Sequence, residues 1–229
     1  MSDPLRIALV GEGPTEKVVV EAALSSILAG RRFILKQLQP EESLPFGVVG
    51  TGWVGVYRWC RQAVDRSGGS LRHDILYEAY DLLLMQLDGD VADECYANGS
   101  LEEAIQDIPC SQPCPPPSAS TNPLRTVLLR WAGEQALPPR TVFCTPSKST
   151  DAWVVAALFP EDVAVRRGIE CWADAANRLR QQPLEHRMTK RVEDYQGRST
   201  DLREAWPRLV LTLDEARRFD AEFRAALPP

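Results

Sequence analysis

The chain has 229 residues, of which 44% are apolar and 25% are charged, and its net charge is -6. These proportions are typical of a soluble globular protein with one large domain, or one domain and a helical appendix. The acidic balance argues against a nucleic-acid-binding surface that covers the whole protein. No apolar run is long enough for a membrane span or a signal peptide, so we expect a cytoplasmic protein without a membrane partner. The six cysteines form no CxxC pair, which favours free thiols.

Strand and helix patterns alternate from the start of the chain. Leu5 to Val10 is an apolar run of strand length, and a helix with Thr15 as its N-cap is predicted from Glu16 to the stop at Gly30. In chain order the further predicted elements are a strand at 32–38, a helix at 53–64, a strand at 80–87, a helix at 124–137, a strand at 141–144 and a helix at 150–159. Such alternation predicts an α/β fold of the Rossmannoid type, with a central, mainly parallel sheet flanked by helices.

Two regions depart from this alternation. Residues 93–123 contain six prolines and form a predicted Pro-rich insertion, with one short helix expected at 100–108 from the capping box that begins at Ser100. After Pro160 the patterns are mostly helical, with one helix face through 169–179 and a single strand at 209–213. We therefore expect a metal-binding α/β domain at 1–160 and a helical C-terminal extension at 161–229, packed on that domain.

Four acidic residues follow the first and third predicted strands. Glu12 and Glu16 flank the first turn, and Asp88 and Asp90 follow the most apolar strand as a DxD pair. Because parallel strands end at the same edge of a sheet, all four carboxylates are expected at the functional edge, with both aspartates on one side by strand alternation. Clusters of carboxylates suit Mg²⁺ or Mn²⁺ and point to phosphoester chemistry.

These acids carry a family resemblance. The sequences GEGPTE at 11–16 and DGD at 88–90, each after an apolar strand, resemble the signature of the Toprim domain. The chain is most similar to small prokaryotic Toprim-like proteins that are related to the nuclease domain of the OLD family and share an EGxTE opening. The segment PSKSTDAWVVA at 146–156 looks like the third block of that family, with Asp151 where Glu is more common. The resemblance covers about residues 5–160.

The resemblance implies a Mg²⁺-dependent or Mn²⁺-dependent nuclease that hydrolyses DNA or RNA, with a role in defence against phage. It places one or two divalent ions on five carboxylates: Glu12, Glu16, Asp88, Asp90 and Asp151. The implied catalytic residues are Glu12, Asp88, Asp90 and Lys148, with Glu12 as general base and Lys148 facing the charge that develops on the scissile phosphate. Since the chain has no Walker A motif, any ATPase of such a system is expected to be a partner protein.

Other interpretations stay open at this point. A catalytically silent Toprim-like binding or regulatory subunit does not need a third group of residues beside the two acidic turns. Convergence of Asp151 and Lys148 with the other acids would therefore favour catalysis.

The sequence GTGWVG at 50–55 matches a dinucleotide-binding fingerprint, but only 46–49 could supply the strand that must precede it. Asp74, at the distance expected of the ribose-binding acid, does not end a predicted strand. A zinc site on His73, Cys95, Cys110 and Cys114 has weak spacing. The basic segment 166–191 fits a nucleic-acid contact or, slightly better, a solvated helix face.

Overall fold

The computed structural model describes residues 3–41 and 50–228 and contains one four-stranded sheet, in which every neighbouring pair of strands is parallel. The strands are β1 (Leu5–Val10), β2 (Phe33–Gln39), β3 (Leu82–Gln86) and β4 (Thr141–Cys144). Their order across the sheet is β2-β1-β3-β4. The predicted α/β fold with a central parallel sheet is therefore confirmed.

The strand order places a crevice beside the first strand. From β1 the chain adds β2 on one side and then returns to add β3 on the other side. In open parallel sheets ligands bind outside the carboxyl ends of the strands at such a reversal. Val10 of β1 pairs with Met85 of β3, so the two strands end at nearly the same level. The residues that follow β1 and β3 therefore meet at this crevice.

Helices cover both faces of the sheet. They are α1 (Pro14–Ile27), α2 (Gly52–Arg66), α3 (Leu76–Ala79), α4 (Ser118–Trp131), α5 (Asp151–Leu158), α6 (Val163–Arg166), α7 (Ala175–Arg180), α8 (Val192–Gln196), α9 (Ser199–Thr212) and α10 (Asp214–Ala226). Side chains of β1 alternate between two cores: Ile7 and Leu9 face α1, α5, α9 and α10, whereas Ala8 and Val10 face α2 and α4. The sheet thus forms the middle of three layers.

The helical C-terminal part shares its core with the α/β part. The ring of Trp153 in α5 lies 5.4 Å from that of Trp206 in α9 and 6.1 Å from that of Phe219 in α10. All three side chains are buried. Aromatic pairs at these distances add to the free energy gained by burying the rings. Residues beyond 160 therefore complete one face of the sheet. In the described part of the chain, no helix is both long and apolar enough to cross a membrane.

Several predicted elements are wrong. The residues 100–108 form no helix, because Asp107 is instead bound by Tyr96 at 2.7 Å and by Arg130 at 2.6 Å. The predicted strand at 209–213 lies mostly within α9, whose buried Leu202, Trp206 and Leu209 have helical spacing. The single helix through 169–179 is broken, with a 3₁₀ turn at Ile169–Cys171 before α7. The helix predicted at 124–137 begins six residues earlier, at Ser118, and ends at Trp131.

The prediction that all cysteines are free thiols is also wrong. Cys114 in the Pro-rich insertion forms a disulfide with Cys171 in the 3₁₀ turn before α7, with 5.5 Å between their Cα atoms. The cysteines are 57 residues apart, so only the fold brings them together. This bond excludes Cys114 from the alternative zinc site. The insertion is thereby tied to the C-terminal part of the chain.

Candidate functional site

The turn between β1 and α1 presents Glu12 and Glu16. Helix α1 begins at Pro14 with Gly13 as the N-cap, so the predicted N-cap role of Thr15 is wrong. The backbone N–H of Glu12 donates to the side-chain oxygen of Gln86 at 3.0 Å, and the Glu12 carbonyl accepts from Gly52 at 2.8 Å. A Cβ on Gly13 would lie 2.6 Å from the carboxylate of Glu16, so any other residue at position 13 would displace that carboxylate. Both glutamates are therefore fixed by neighbouring turns.

A direct hydrogen bond joins the first turn to the turn after β3. The Asp88 backbone N–H donates to Glu12 Oε1 at 2.6 Å, and Gln86 Nε2 donates to Asp88 Oδ1 at 2.7 Å. Asp88 is buried, whereas Asp90 is exposed on a 3₁₀ turn at Gly89–Asp93. The expectation that strand alternation aligns the two aspartates is wrong, because β3 already ends at Gln86. Their proximity comes from the turn instead.

Gly89 locks the turn after β3 against the turn after β4. Its N–H donates to the carbonyl of Pro146 at 2.9 Å, and the N–H of Asp90 donates to that of Lys148 at 3.1 Å. A Cβ on Gly89 would lie 1.9 Å from the Ser147 carbonyl oxygen, which belongs to the backbone and cannot rotate away. This close approach sets the distance between Asp88 and the segment that carries Lys148 and Asp151.

Replacing Gly89 with alanine should therefore destabilise the protein by about 1–3 kcal/mol, the usual range for overpacking. Chemical denaturation followed by fluorescence measures this change. Gly197→Ala is the matched control, because Gly197 has a φ of -60° and a Cβ there would meet no atom closer than 3.4 Å. Equal stabilities of the two variants would contradict this role of Gly89.

The third predicted block and the C-terminal part together build the other side of the site. Asp151 begins α5 and is 1% exposed. Its Oδ1 accepts a hydrogen bond from the Tyr195 hydroxyl, and its Oδ2 lies 2.9 Å from Lys190 Nζ. The same Nζ lies 3.6 Å from Glu16 Oε1. The Lys190 ammonium thus connects Asp151 to the acids of the first turn.

Lys148 does not contact the acidic cluster directly. It lies at the same edge of the sheet, as predicted, but its Nζ donates to Asp93 at 2.9 Å. Its charge still acts on Asp90, where it opposes the rise in pKa that desolvation causes. Asp151 therefore joins the other acids through Lys190. Lys148 does not, because its ammonium is bound by Asp93.

Burial, and then crowding, raises the pKa values of the clustered carboxylates. Burial raises the pKa of Glu12 to about 8, with further upward contributions from the charges of Asp90 and Glu16, while the hydrogen bond from the Asp88 N–H lowers it. Desolvation, followed by repulsion from Glu12, also holds the pKa of Asp88 well above its ordinary value. Although Asp90 is partly open to solvent, desolvation by the protein around it raises its pKa to about 6, against the attraction of Lys190 and Lys148. The cluster therefore disfavours full ionisation unless a cation is added.

The metal-free protein should become less stable as the pH rises from about 5 to 8.5. The pKa of Glu12 is raised from 4.5 to about 8, so between these values the folded state binds more protons than the unfolded state. Folding free energy is lost across that window as the pH increases. Thermal melts in EDTA at both pH values measure the difference for wild type and Glu12→Gln. A variant as pH-dependent as the wild type would rule out Glu12 as the source.

No family model matches this chain, and no curated protein or solved structure is significantly similar to it. The Toprim resemblance therefore stays a prediction that rests on the three motifs. The parallel architecture and the contacts of the acidic residues are the observations that bear on function.

The donor set fits a hard divalent cation. It offers carboxylate oxygens from both sides of the crevice. Burial, and then repulsion between the carboxylates, raises the pKa of Glu12 and Asp88, and a bound cation would favour their ionised forms. In the arrangement described for residues 3–41 and 50–228, no three His, Cys, Asp or Glu side chains already form a metal-binding group. Glu12 is engaged by the Asp88 N–H and Asp151 by Tyr195 and Lys190. An ion held by Asp151 would therefore require that side chain to leave Tyr195 and Lys190, whereas Glu12 still has one oxygen free of the Asp88 N–H.

Sequence reasoning missed three residues of the site. Gln86 holds both Glu12 and Asp88, and a buried polar residue at the end of an apolar strand is a signal that could have identified it. Lys190 and Tyr195 lie within a stretch that carries no recognisable motif, and nothing local indicates their contacts with Asp151. Only the packing of α8 against α1 brings them to the sheet edge.

The remaining sequence motifs have structural explanations. Gly50 and Gly52 have positive φ values of 91° and 66°, and a Cβ on Gly55 would lie 2.8 Å from the Gly50 carbonyl oxygen, so these glycines shape the turn before α2. The preceding strand suggested at 46–49 lies outside the described residues. Asp74 accepts from the Leu76 N–H at 2.9 Å and pairs with Arg66 at 2.7 Å, away from any strand end. These contacts do not support a dinucleotide site.

The basic segment 166–191 is divided among several roles. Arg178 pairs with Asp162 at 2.7 Å, and Arg191 pairs with Asp194 at 3.2 Å. Lys190 instead enters the acidic site. The helix predicted through this segment is broken, and Arg178, Lys190 and Arg191 pair with acids in different places, so these three residues do not form one cationic face.

Proposed function

We propose that the protein is a Mg²⁺-dependent phosphodiesterase that hydrolyses DNA or RNA. The observation that carries this proposal is the hydrogen bond of 2.6 Å between Glu12 and the Asp88 backbone, which joins two acidic turns at the reversal point of a parallel sheet. Two turns that merely faced solvent would not need a shared, partly buried carboxylate. Metal-dependent hydrolysis of a phosphodiester, which the Toprim-like motifs predict, is the reaction that these paired acidic turns support best.

Each acidic residue has a defined part in the proposed reaction. Glu12, Asp88 and Asp90 would hold a Mg²⁺ or Mn²⁺ ion, whereas Glu16 and Asp151 pair with Lys190. A bound divalent ion supplies Lewis-acid activation and neutralises charge on the phosphoryl oxygens. Glu12 keeps one carboxylate oxygen free of the Asp88 N–H, and that oxygen could accept a proton from a water molecule once Glu12 is ionised. Gln86 orients both acids through its side-chain amide.

A catalytically silent binding or regulatory subunit is the second candidate. The position of Lys148 favours it, because the ammonium predicted to face a phosphate is bound by Asp93 instead. In either case the location in the cytoplasm, the role in phage defence and a partner ATPase or other defence-system protein remain part of the proposal. The role in phage defence and the partner protein follow from the family resemblance alone, whereas the cytoplasmic location is the expectation drawn from the sequence.

Cleavage assays on end-labelled single-stranded and double-stranded DNA and RNA test the proposal. Cleavage should require Mg²⁺ or Mn²⁺, stop in EDTA, resume when the metal is restored, and be absent from Glu12→Gln. A folded protein that binds Mn²⁺ but cleaves none of the four substrates would overturn the enzymatic proposal and support the regulatory subunit. A protein that binds no metal would overturn the assignment of the site itself.

A further inference from the structure

Lys190 is held at the acidic site by its own segment of the chain. Asp194 accepts hydrogen bonds from the Thr189 N–H at 2.7 Å and from the Thr189 hydroxyl at 2.8 Å, and it pairs with Arg191 at 3.2 Å. The buried side chain of Met188 anchors the segment on one side, and that of Tyr195 anchors it on the other. Asp194 thus holds the backbone just before Lys190 and the side chain just after it.

The ammonium of Lys190 occupies a position that suits a cation. Its Nζ lies 2.9 Å from Asp151 Oδ2 and 3.6 Å from Glu16 Oε1, so two carboxylates from different elements share one positive charge. Asp151 is 1% exposed, and burying an unpaired carboxylate costs several kcal/mol. The Tyr195 hydroxyl binds the other oxygen of Asp151. A lysine and a tyrosine from the C-terminal part thus compensate this buried charge within the protein itself.

Lys190 also divides the five carboxylates into two groups. Glu16 and Asp151 lie within 3.6 Å of its ammonium, whereas Glu12, Asp88 and Asp90 are affected by its charge without forming an ion pair with it. The latter three are linked through the bond between Glu12 and Asp88 and through the turn that carries Asp90. A second divalent ion between Glu16 and Asp151 would lie against an ammonium of like charge, at a distance where repulsion is strong. The space between those two acids is therefore already taken.

We propose that Lys190 is a built-in cation that replaces a second divalent ion, so that the protein binds one Mg²⁺ or Mn²⁺ per chain, on the side of Glu12, Asp88 and Asp90. This inference rests on the proposed metal site. It departs from the two-ion arrangement that the family resemblance allows. It also makes the C-terminal part a component of the site.

Counting bound Mn²⁺ per chain tests the inference without measuring activity. Equilibrium dialysis or isothermal titration should give one ion for the wild type and two for Lys190→Gln, which frees Glu16 and Asp151. Arg187→Gln is the matched control, because it removes the same charge from the same segment at a residue that bonds the Gln182 carbonyl and not an acid of the site, so this variant should still bind one ion. Circular dichroism confirms that each variant is folded.

Glu16→Gln provides a second test that leaves no lysine unpaired. If Glu16 serves Lys190 and not the metal, this variant should bind one Mn²⁺ with an affinity within about 10-fold of the wild type, a change of about 1.4 kcal/mol. Two ions on the wild type, one or none on Lys190→Gln, or loss of Mn²⁺ from Glu16→Gln would overturn the role of Lys190 while leaving a metal site. A wild type that binds none would overturn the proposed function as well.

Discussion

Replacing Asp88 with asparagine should reduce phosphodiester cleavage by about 100-fold to 1,000-fold or more, the loss expected when a group that stabilises transition-state charge is removed. Asparagine has nearly the shape of aspartate, and its carbonyl oxygen can still accept the Gln86 amide that now bonds Asp88 at 2.7 Å. The substitution therefore removes charge and a proposed metal ligand while retaining the packing. Single-turnover cleavage at saturating Mg²⁺ measures the effect.

The same substitution should raise the stability of the metal-free protein. Desolvation and repulsion from Glu12 raise the pKa of Asp88, so ionising this buried group opposes folding, and a neutral side chain removes that cost. In saturating metal the order should reverse, because wild type alone gains the free energy of binding, about 2.7 kcal/mol at a ligand concentration of 100 Kd. Thermal melts with and without Mg²⁺ separate these two contributions.

Asp81→Asn is the matched control for Asp88→Asn. Asp81 precedes the same strand at the opposite edge of the sheet, where it accepts a hydrogen bond from the Arg6 N–H at 2.7 Å. Its replacement should leave cleavage unchanged and should not affect the response to Mg²⁺. Full activity of Asp88→Asn, or equal losses in both variants, would refute the role of Asp88.

The acidic half of the site is predictable from the sequence because that half depends on local structure. The run before Glu12 and the run before Asp88 are apolar over strand length, and parallel strands leave their following turns at a common edge. A buried parallel strand can be predicted from such an apolar run alone. For this reason the predicted β1 and β4 boundaries and the α/β class agree with the structure, and Glu12 and Asp88 lie together as expected.

The C-terminal half of the site could not be predicted in this way. Tyr195 binds Asp151 across 44 residues, and Lys190 reaches Glu16 across a still longer separation. The segment between α5 and α9 consists of short helices, whose positions depend on tertiary packing more than on propensity. The error at 100–108 has the same origin, since contacts of Asp107 with Arg130 outweigh a local helix signal.

Removing the Cys114–Cys171 disulfide should have the largest effect on stability outside the acidic site. A cross-link between residues 57 positions apart restricts the unfolded chain, which corresponds to about 4 kcal/mol in the loop-entropy treatment. The double variant Cys114→Ser, Cys171→Ser avoids leaving an unpaired thiol. Urea denaturation without reductant should show this loss, and dithiothreitol should lower the stability of wild type toward that of the variant, which itself should not respond.

Cys95→Ser is the control for this disulfide, because Cys95 is a half-buried free thiol of the same insertion. It should keep the stability of the wild type and its response to dithiothreitol.

The cross-link also lies close to the acidic site, since Cys114 Sγ is 3.9 Å from the Ser147 hydroxyl and the Ser147 carbonyl packs against Gly89. In a reducing cytoplasm such a bond is open. In the proposed cytoplasmic location the reduced protein is the form present, so its metal binding and cleavage should be compared with those of the oxidised protein. A wild type whose stability does not change in dithiothreitol would contradict the bond itself.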